Sequence, residues 1–307
     1  MIARFFNTSK PIHSVLIAVF LLIVFFTLRA DVIFTDFKLN QLFDEAFKFL
    51  IVIGSVFVLD FLVQKNKLTK KNGYEILIFS LLMVTFPKTL LETNIFVANF
   101  FILLALRRII SLRSNLRIKK KLFDAAFWIC IAALFHFWSI LFLALVVAAI
   151  FLHSITNVKN WIIPIIGVVT VVLLVVTYSI IFDNSFGSTN DYIESIGFDF
   201  SYYKTNNLII ALVILLLLCL WTLGYYVVNL GNKPKSFQPS FVLVLIAFIL
   251  GLGVIVITPN KNSSELIFAF PALTIIISNY FESIKNKWLS EGLVLLILLL
   301  PVLNLVL

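Results

Sequence analysis

The sequence predicts an all-α, polytopic integral membrane protein with 10–11 transmembrane helices, forming a single transmembrane domain over residues 1–307 with no separate soluble domain. Three observations predict it. Apolar residues make up 62% of the chain, against about 45–50% in a soluble domain. Charged residues make up only 13%, against about 25%, too few to cover a water-facing surface. Apolar runs near the roughly 20 residues that cross a hydrocarbon core recur along the whole length. The same composition excludes disorder, collagen and a disulfide scaffold. The net charge of +9 reads as the excess of a cytoplasmic face, not as nucleic-acid binding.

The first apolar run goes from about Ile12 to Leu28. Arg4 and Lys10 precede it, as in a signal peptide, but Arg29 stands between Leu28 and Ala30 and no small-x-small cleavage pattern follows. It is read as an uncleaved first helix. Further runs lie near 46–63, 74–90, 94–110, 122–136, 138–153, 161–182, 207–229, 240–258, 265–281 and 290–307. The stretch Leu122 to Leu152 is too long for one span and short for two. A turn at Phe135-His136-Phe137-Trp138-Ser139 makes it a hairpin and the total eleven; one long tilted helix makes the total ten. Cys130 and Cys219 sit inside apolar runs and read as core residues.

Orientation follows from the basic residues. With the N-terminus in the cytoplasm and strict alternation, eighteen of the 24 Lys and Arg fall on the inner side and six on the outer. The bias supports the hairpin, because a single helix over 122–153 would separate the basic loop 107–121 from Lys159. Ten of the 15 acidic residues fall outside, which fits either an outward-facing site or merely soluble loops. Asp60 and Glu75 lie near the inner surface, where the lysines of 65–71 are expected to meet them. Charges at mid-membrane are nearly absent, which argues against a proton-coupled transporter. There is no G-x-x-x-x-G-K-[ST] phosphate loop.

Four polar clusters fall on the outer side: Asp31, Asp36, Lys38, Asp44 and Glu45; Pro87 through Asn94; Asp183 through Lys204; and Pro259 through Glu265. Lys88 and Glu92, like Lys261 and Glu265, stand four residues apart, the spacing of a helix-surface ion pair. The alternative is a lipid-phosphate site made by Lys88, Lys261, Ser263, Ser264 and Glu265. Lys261 would then precede a helix N-terminus whose free N–H groups favour an anion, and a serine would cap that helix. Asp31 and Asp36 are candidate general bases. His136, Tyr202 and Tyr203 read as interfacial packing residues or as acceptor and sugar contacts. The basic loop 107–121 suits anionic lipid or a protein partner.

The segments Phe5-Phe6-Asn7-Thr8-Ser9-Lys10-Pro11 and Lys261-Asn262-Ser263-Ser264-Glu265-Leu266-Ile267-Phe268, followed by Pro271, resemble an uncharacterised family of bacterial polytopic inner-membrane proteins. More distantly, the arrangement resembles the membrane core of GT-C glycosyltransferases. The likeness rests on an acidic first outer loop, the apolar helix pair around Phe135–Phe151, and a polar motif before a proline-containing late helix. The chain lacks a Glu-x-Asp or Asp-Asp pair in the first loop, carries Lys261 where many such enzymes have arginine, and has no large outer domain. The resemblance implies a GT-C-like architecture in the cytoplasmic membrane and transfer of a sugar from a polyprenyl-phosphate donor at the outer face. It requires no cofactor, while outer carboxylates are compatible with a divalent metal. A lipid or lipid-linked glycan flippase and a non-catalytic scaffold subunit are the alternatives.

Overall fold

Pro11 has no N–H to lose at the first position of a helix, and from it α2 runs over Pro11–Leu28. The computed structural model describes residues 2–35, 39–155, 157–183, 194–204 and 206–306, and it is helical throughout, with no strand among them. A short α1 (Ile2–Phe6) precedes α2, and α3 (Ala30–Thr35) follows it. The series continues with α4 (Leu39–Asn66), α5 (Tyr74–Thr85), α6 (Lys88–Leu91), α7 (Thr93–Ile110), α8 (Ile118–Phe135), α9 (Leu143–Leu152), α10 (Lys159–Tyr178), α11 (Asn206–Val228), α12 (Gln238–Ile257), α13 (Phe270–Phe281) and α14 (Lys287–Val306). Every apolar run expected from the sequence is a helical segment. Among the described residues, six helices are long and apolar enough to cross a membrane: α2, α4, α7 with its continuation to Ser114, α10 with its continuation to Phe182, α11 from Leu208, and α12.

The stretch 122–153 is two segments. At His136 the backbone turns extended (φ −148°, ψ 107°), and a 3-10 turn over Phe137–Phe142 leads into α9. The chain therefore doubles back. Connections gather at two ends. At one, Ala3 N–H donates to Glu291, Tyr74 Oη to Ala3 C=O, Lys70 N–H to Glu282, and Arg113 lies over Phe237. This is the basic end. The opposite, acidic end holds Arg29, Glu45, the 88–93 connection, His136, the 194–204 segment and Pro259 through Glu265.

The outward surface is apolar, unlike that of a soluble protein. α10 and α2 leave many large apolar side chains exposed, including Ile165, Leu173, Val15 and Ile23. Polar groups on these helices turn back onto their own backbone: Thr170 and Thr177 hydroxyls donate to the carbonyls of Ile166 and Leu173 at 2.8 and 2.7 Å. That is the economy expected where lipid offers no partner. The most completely buried long helices are α5, whose residues are all buried, and α13, buried except at Tyr280. The two pack together and share a design. Each is a short helix broken near the acidic end, α5 by Phe86 and Pro87 before α6, and α13 by a 3-10 turn over Ser264–Phe268 before Pro271. Gly251 lets α12 close on the second break: a Cβ there would stand 2.6 Å from Phe268 O and 2.8 Å from Ala269 Cα.

Candidate functional site

Helix breaks set the geometry of the acidic end. A break leaves backbone N–H and C=O groups without helical partners, and side chains must supply them. Arg29 does so for the first break. Its Nη2 donates to the carbonyls of Leu90 and Leu91 at 3.1 and 2.7 Å and to Thr93 Oγ1 at 3.4 Å. Its Nη1 reaches both Glu45 oxygens, and Lys48 Nζ stands 2.6 Å from Glu45 Oε1. Arg29 and Glu45 are 6% and 3% exposed, so the first two outer clusters are joined by a buried ion pair.

The remaining clusters join through Asn262. Its Nδ2 donates to Glu92 Oε1 at 3.1 Å, its N–H to Glu265 Oε2 at 3.3 Å, and its Oδ1 accepts from Ser264 N–H and Oγ. Tyr203 Oη donates to Glu265 Oε1 at 2.5 Å. Burial first, then the Glu265 charge, push the Tyr203 phenol above its ordinary value, which keeps it a donor. Lys261 donates to three carbonyls: Gly197 at 2.7 Å, Val256 at 3.0 Å and Thr258 at 2.6 Å. An ammonium has three donors, so all are spent. Burial lowers the Lys261 pKa, opposed by the charges of Glu265 and Asp199. Gly197 N–H donates to Ile257 C=O, and a Cβ on Gly197 would stand 2.7 Å from Pro259 Cα. The 194–204 segment is thus stapled to the end of α12.

His136 sits in the same layer. Its Nε2 lies 3.1 Å from Thr258 Oγ1, its Nδ1 3.5 Å from Glu194 Oε1, and its ring stacks on Phe268 at 5.1 Å. A nitrogen base backed by a carboxylate can take a proton from a neighbouring hydroxyl.

The expected site residues are distributed as follows. Lys261, Ser264, Glu265, His136 and Tyr203 come together, and Tyr202 touches Tyr203 edge-on at 6.1 Å. Lys88 is half-buried on the adjoining connection, and its ammonium makes no hydrogen bond or ion pair among the described residues. Asp31 is exposed in the first turn of α3. Asp36 lies outside the described residues. Neither spaced pair forms: Glu92 is taken by Asn262, and Glu265 by Tyr203 and the Asn262 N–H. The expected clean helix N-terminus after Lys261 is instead a 3-10 turn. Ser263, at φ 72°, makes no cap, and Asn262 caps Ser264 in its place.

The sequence reading counted Arg29 as an outer basic residue and as a break in a cleavage pattern but gave it no partner; its position at the end of the first apolar run was the available signal. Glu75, expected near the inner surface to meet the lysines of 65–71, does not meet them. It is fully buried, and neither carboxylate oxygen has a hydrogen-bond partner among the described residues, which is true also of both Asn99 amide atoms. Asp60 instead accepts from Gln64 Nε2 at 2.6 Å. No group of three or more His, Cys, Asp or Glu stands at metal-holding distance among the described residues.

Fold and site define a multi-pass membrane protein with a buried polar layer at one end of its helical bundle. The chain belongs to a family of unknown function, DUF6427, whose family model matches residues 1–306. No curated protein and no solved structure matches it.

Proposed function

We propose that the protein transfers a glycosyl group from a polyprenyl-phosphate sugar to an acceptor at the outer face of the cytoplasmic membrane. In this reading it has a GT-C-like arrangement of eleven spans, and its basic end and N-terminus are cytoplasmic. One observation carries the proposal. Of the seven His, Arg, Lys and acidic residues buried among the described residues, five (Arg29, Glu45, His136, Lys261 and Glu265) lie in one layer at the acidic end. Buried ionisable groups at a membrane boundary cost free energy and mark sites of function.

The geometry reassigns roles within the reading. Lys88, uncommitted and half-buried, takes the phosphate that leaves. Lys261 holds the layer together. Asp31, Asp36 or the His136–Glu194 pair accepts the proton of the acceptor hydroxyl as its oxygen bonds to the anomeric carbon and the bond to the phosphate oxygen breaks. The full-length protein in nanodiscs, given a radiolabelled polyprenyl-phosphate hexose and envelope extract, should release polyprenyl phosphate and label an acceptor. Lys88→Ala should cut that rate about tenfold or more, within the range of lost transition-state donors. No release from the wild-type protein overturns the reading.

A second reading, movement of a lipid-linked glycan across the bilayer, draws on Glu75 and Asn99. Unpartnered polar atoms inside the bundle suit a polar path. Release without transport, or transport without release, separates the two.

A further inference from the structure

The basic end contains a cavity of about 220 Å³ between the end of α11, the start of α12 and the end of α13. Lys70, Lys233, Asn232, Asn279, Tyr225 and Glu282 are among its lining residues. This cavity is separate from the polar layer of the acidic end. Its charges are arranged unequally. Glu282 is committed to the wall, with Oε1 accepting from Lys70 N–H at 2.6 Å and from Asn72 Nδ2. The two cations are not. Lys233 Nζ has one hydrogen bond, to Asn279 Oδ1 at 3.3 Å, and lies over the Phe241 ring at 4.5 Å. Lys70 Nζ makes no hydrogen bond or ion pair among the described residues. The Asn279 amide is itself fixed by bonds to Leu68 and Ile275 carbonyls at 3.0 and 2.9 Å, so it holds Lys233 in place from behind.

Aromatic side chains flank the cavity. Tyr225 and Trp221 of α11 meet Tyr280 of α13 at 5.2 and 6.4 Å, and Trp221 and Trp288 are exposed. Such rings sit at the level of lipid headgroups. Two ammonium groups that keep donors unspent, Lys70 exposed and Lys233 half-buried, suit a phosphoryl group, because a lysine is a compact point charge with rotatable donors.

We propose that this cavity binds a phosphoryl group through Lys70 and Lys233, supplied either by an anionic phospholipid headgroup or by a water-soluble phosphate ester. The site is independent of any chemistry at the acidic end. It is tested on the full-length protein in an uncharged detergent, by native mass spectrometry and thermal-shift titration with phosphatidylglycerol and, separately, with glycerol 3-phosphate. Each lysine should contribute about a fivefold change in affinity. Lys70→Gln and Lys233→Gln should therefore each weaken phosphatidylglycerol binding about that much, and the double variant more. Lys233→Arg keeps the charge and should retain binding, which separates a lost contact from a disturbed fold. Lys159→Gln, an exposed cation outside the cavity, should change nothing. Competition by glycerol 3-phosphate assigns the site to soluble esters; its failure to compete assigns it to lipid. Equal binding by the double lysine variant and the wild-type protein, or equal loss in the Lys159 control, overturns the proposal.

Discussion

Arg29 Nη1 reaches the two Glu45 oxygens at 3.2 and 3.0 Å, while its Nη2 holds the carbonyls of Leu90 and Leu91. One guanidinium thereby ties the end of α2 to the start of α4 and to the broken helix between α5 and α7. Removing one partner of a buried pair leaves the other charge uncompensated and costs about 3–5 kcal/mol. Glu45→Leu should destabilise by that order in detergent thermal melts. The double variant Arg29→Met/Glu45→Leu should recover part of the loss, since no lone charge remains. A double variant that simply adds the two single losses would show that the pair does not act as a unit.

The staple at the other break has two halves that should fail alike. Lys261→Met removes three hydrogen bonds to carbonyls, and Gly197→Ala forces a Cβ to within 2.7 Å of Pro259 Cα. Both changes should free the 194–204 segment from α12. Limited proteolysis there should accelerate about tenfold, equivalent to roughly 1.4 kcal/mol of local opening. Unchanged cleavage in both variants would deny the staple.

The helical segments were legible because they depend on run length, which is local in sequence. The hairpin at Phe135 to Ser139 followed from the short length of 122–153 and from the position of Lys159. The pairing inside the acidic end was not legible. Lys261 and Glu265 have the spacing of a helical pair, but the chain there is a 3-10 turn with Asn260 and Ser263 at positive φ. Once the spacing rule failed, partners came from distant segments, such as Tyr203 for Glu265 and Glu92 for Asn262. The commitment of Lys261 to carbonyls was hidden for the same reason. Its acceptors are backbone groups, which carry no residue signature.

His153 gives a pH dependence. It ends α9 at the basic end, and its buried Nε2 has no partner among the described residues. Burial first, then the charges of Lys121 and Arg113, hold its pKa below the ordinary 6.5. The unfolded chain therefore takes up the proton first as pH falls. The stability contributed by neutral His153 is present above pH 6.5 and is lost as pH falls through the lower, folded value. Melting temperature should drop on acidification from pH 7 toward 5, and His153→Asn should drop less over that interval. An equal drop in both would assign the acid sensitivity elsewhere.

The last prediction concerns orientation. The connections gather at two ends, and eighteen of the 24 Lys and Arg belong to segments expected on one side. Basic residues near helix ends are retained in the cytoplasm, so the basic end should face inward. The doubling back at His136 gives a sharper form of the test. It returns the chain so that Lys159, at the start of α10, shares a side with Ser114 although two helical segments intervene. In a background of Cys130→Ala and Cys219→Ala, single cysteines can be placed at Ser114, Lys159 and Lys204, all of which are exposed. A membrane-impermeant maleimide applied to intact spheroplasts should label Lys204→Cys and leave the other two unlabelled until the membrane is permeabilised. Labelling of Ser114→Cys from outside would invert the whole assignment. Labelling of Lys159→Cys in place of Lys204→Cys, with Ser114→Cys protected, would leave the basic loop inside. It would mean that α8 and α9 do not cross as a hairpin, and every segment after Leu152 would then change sides.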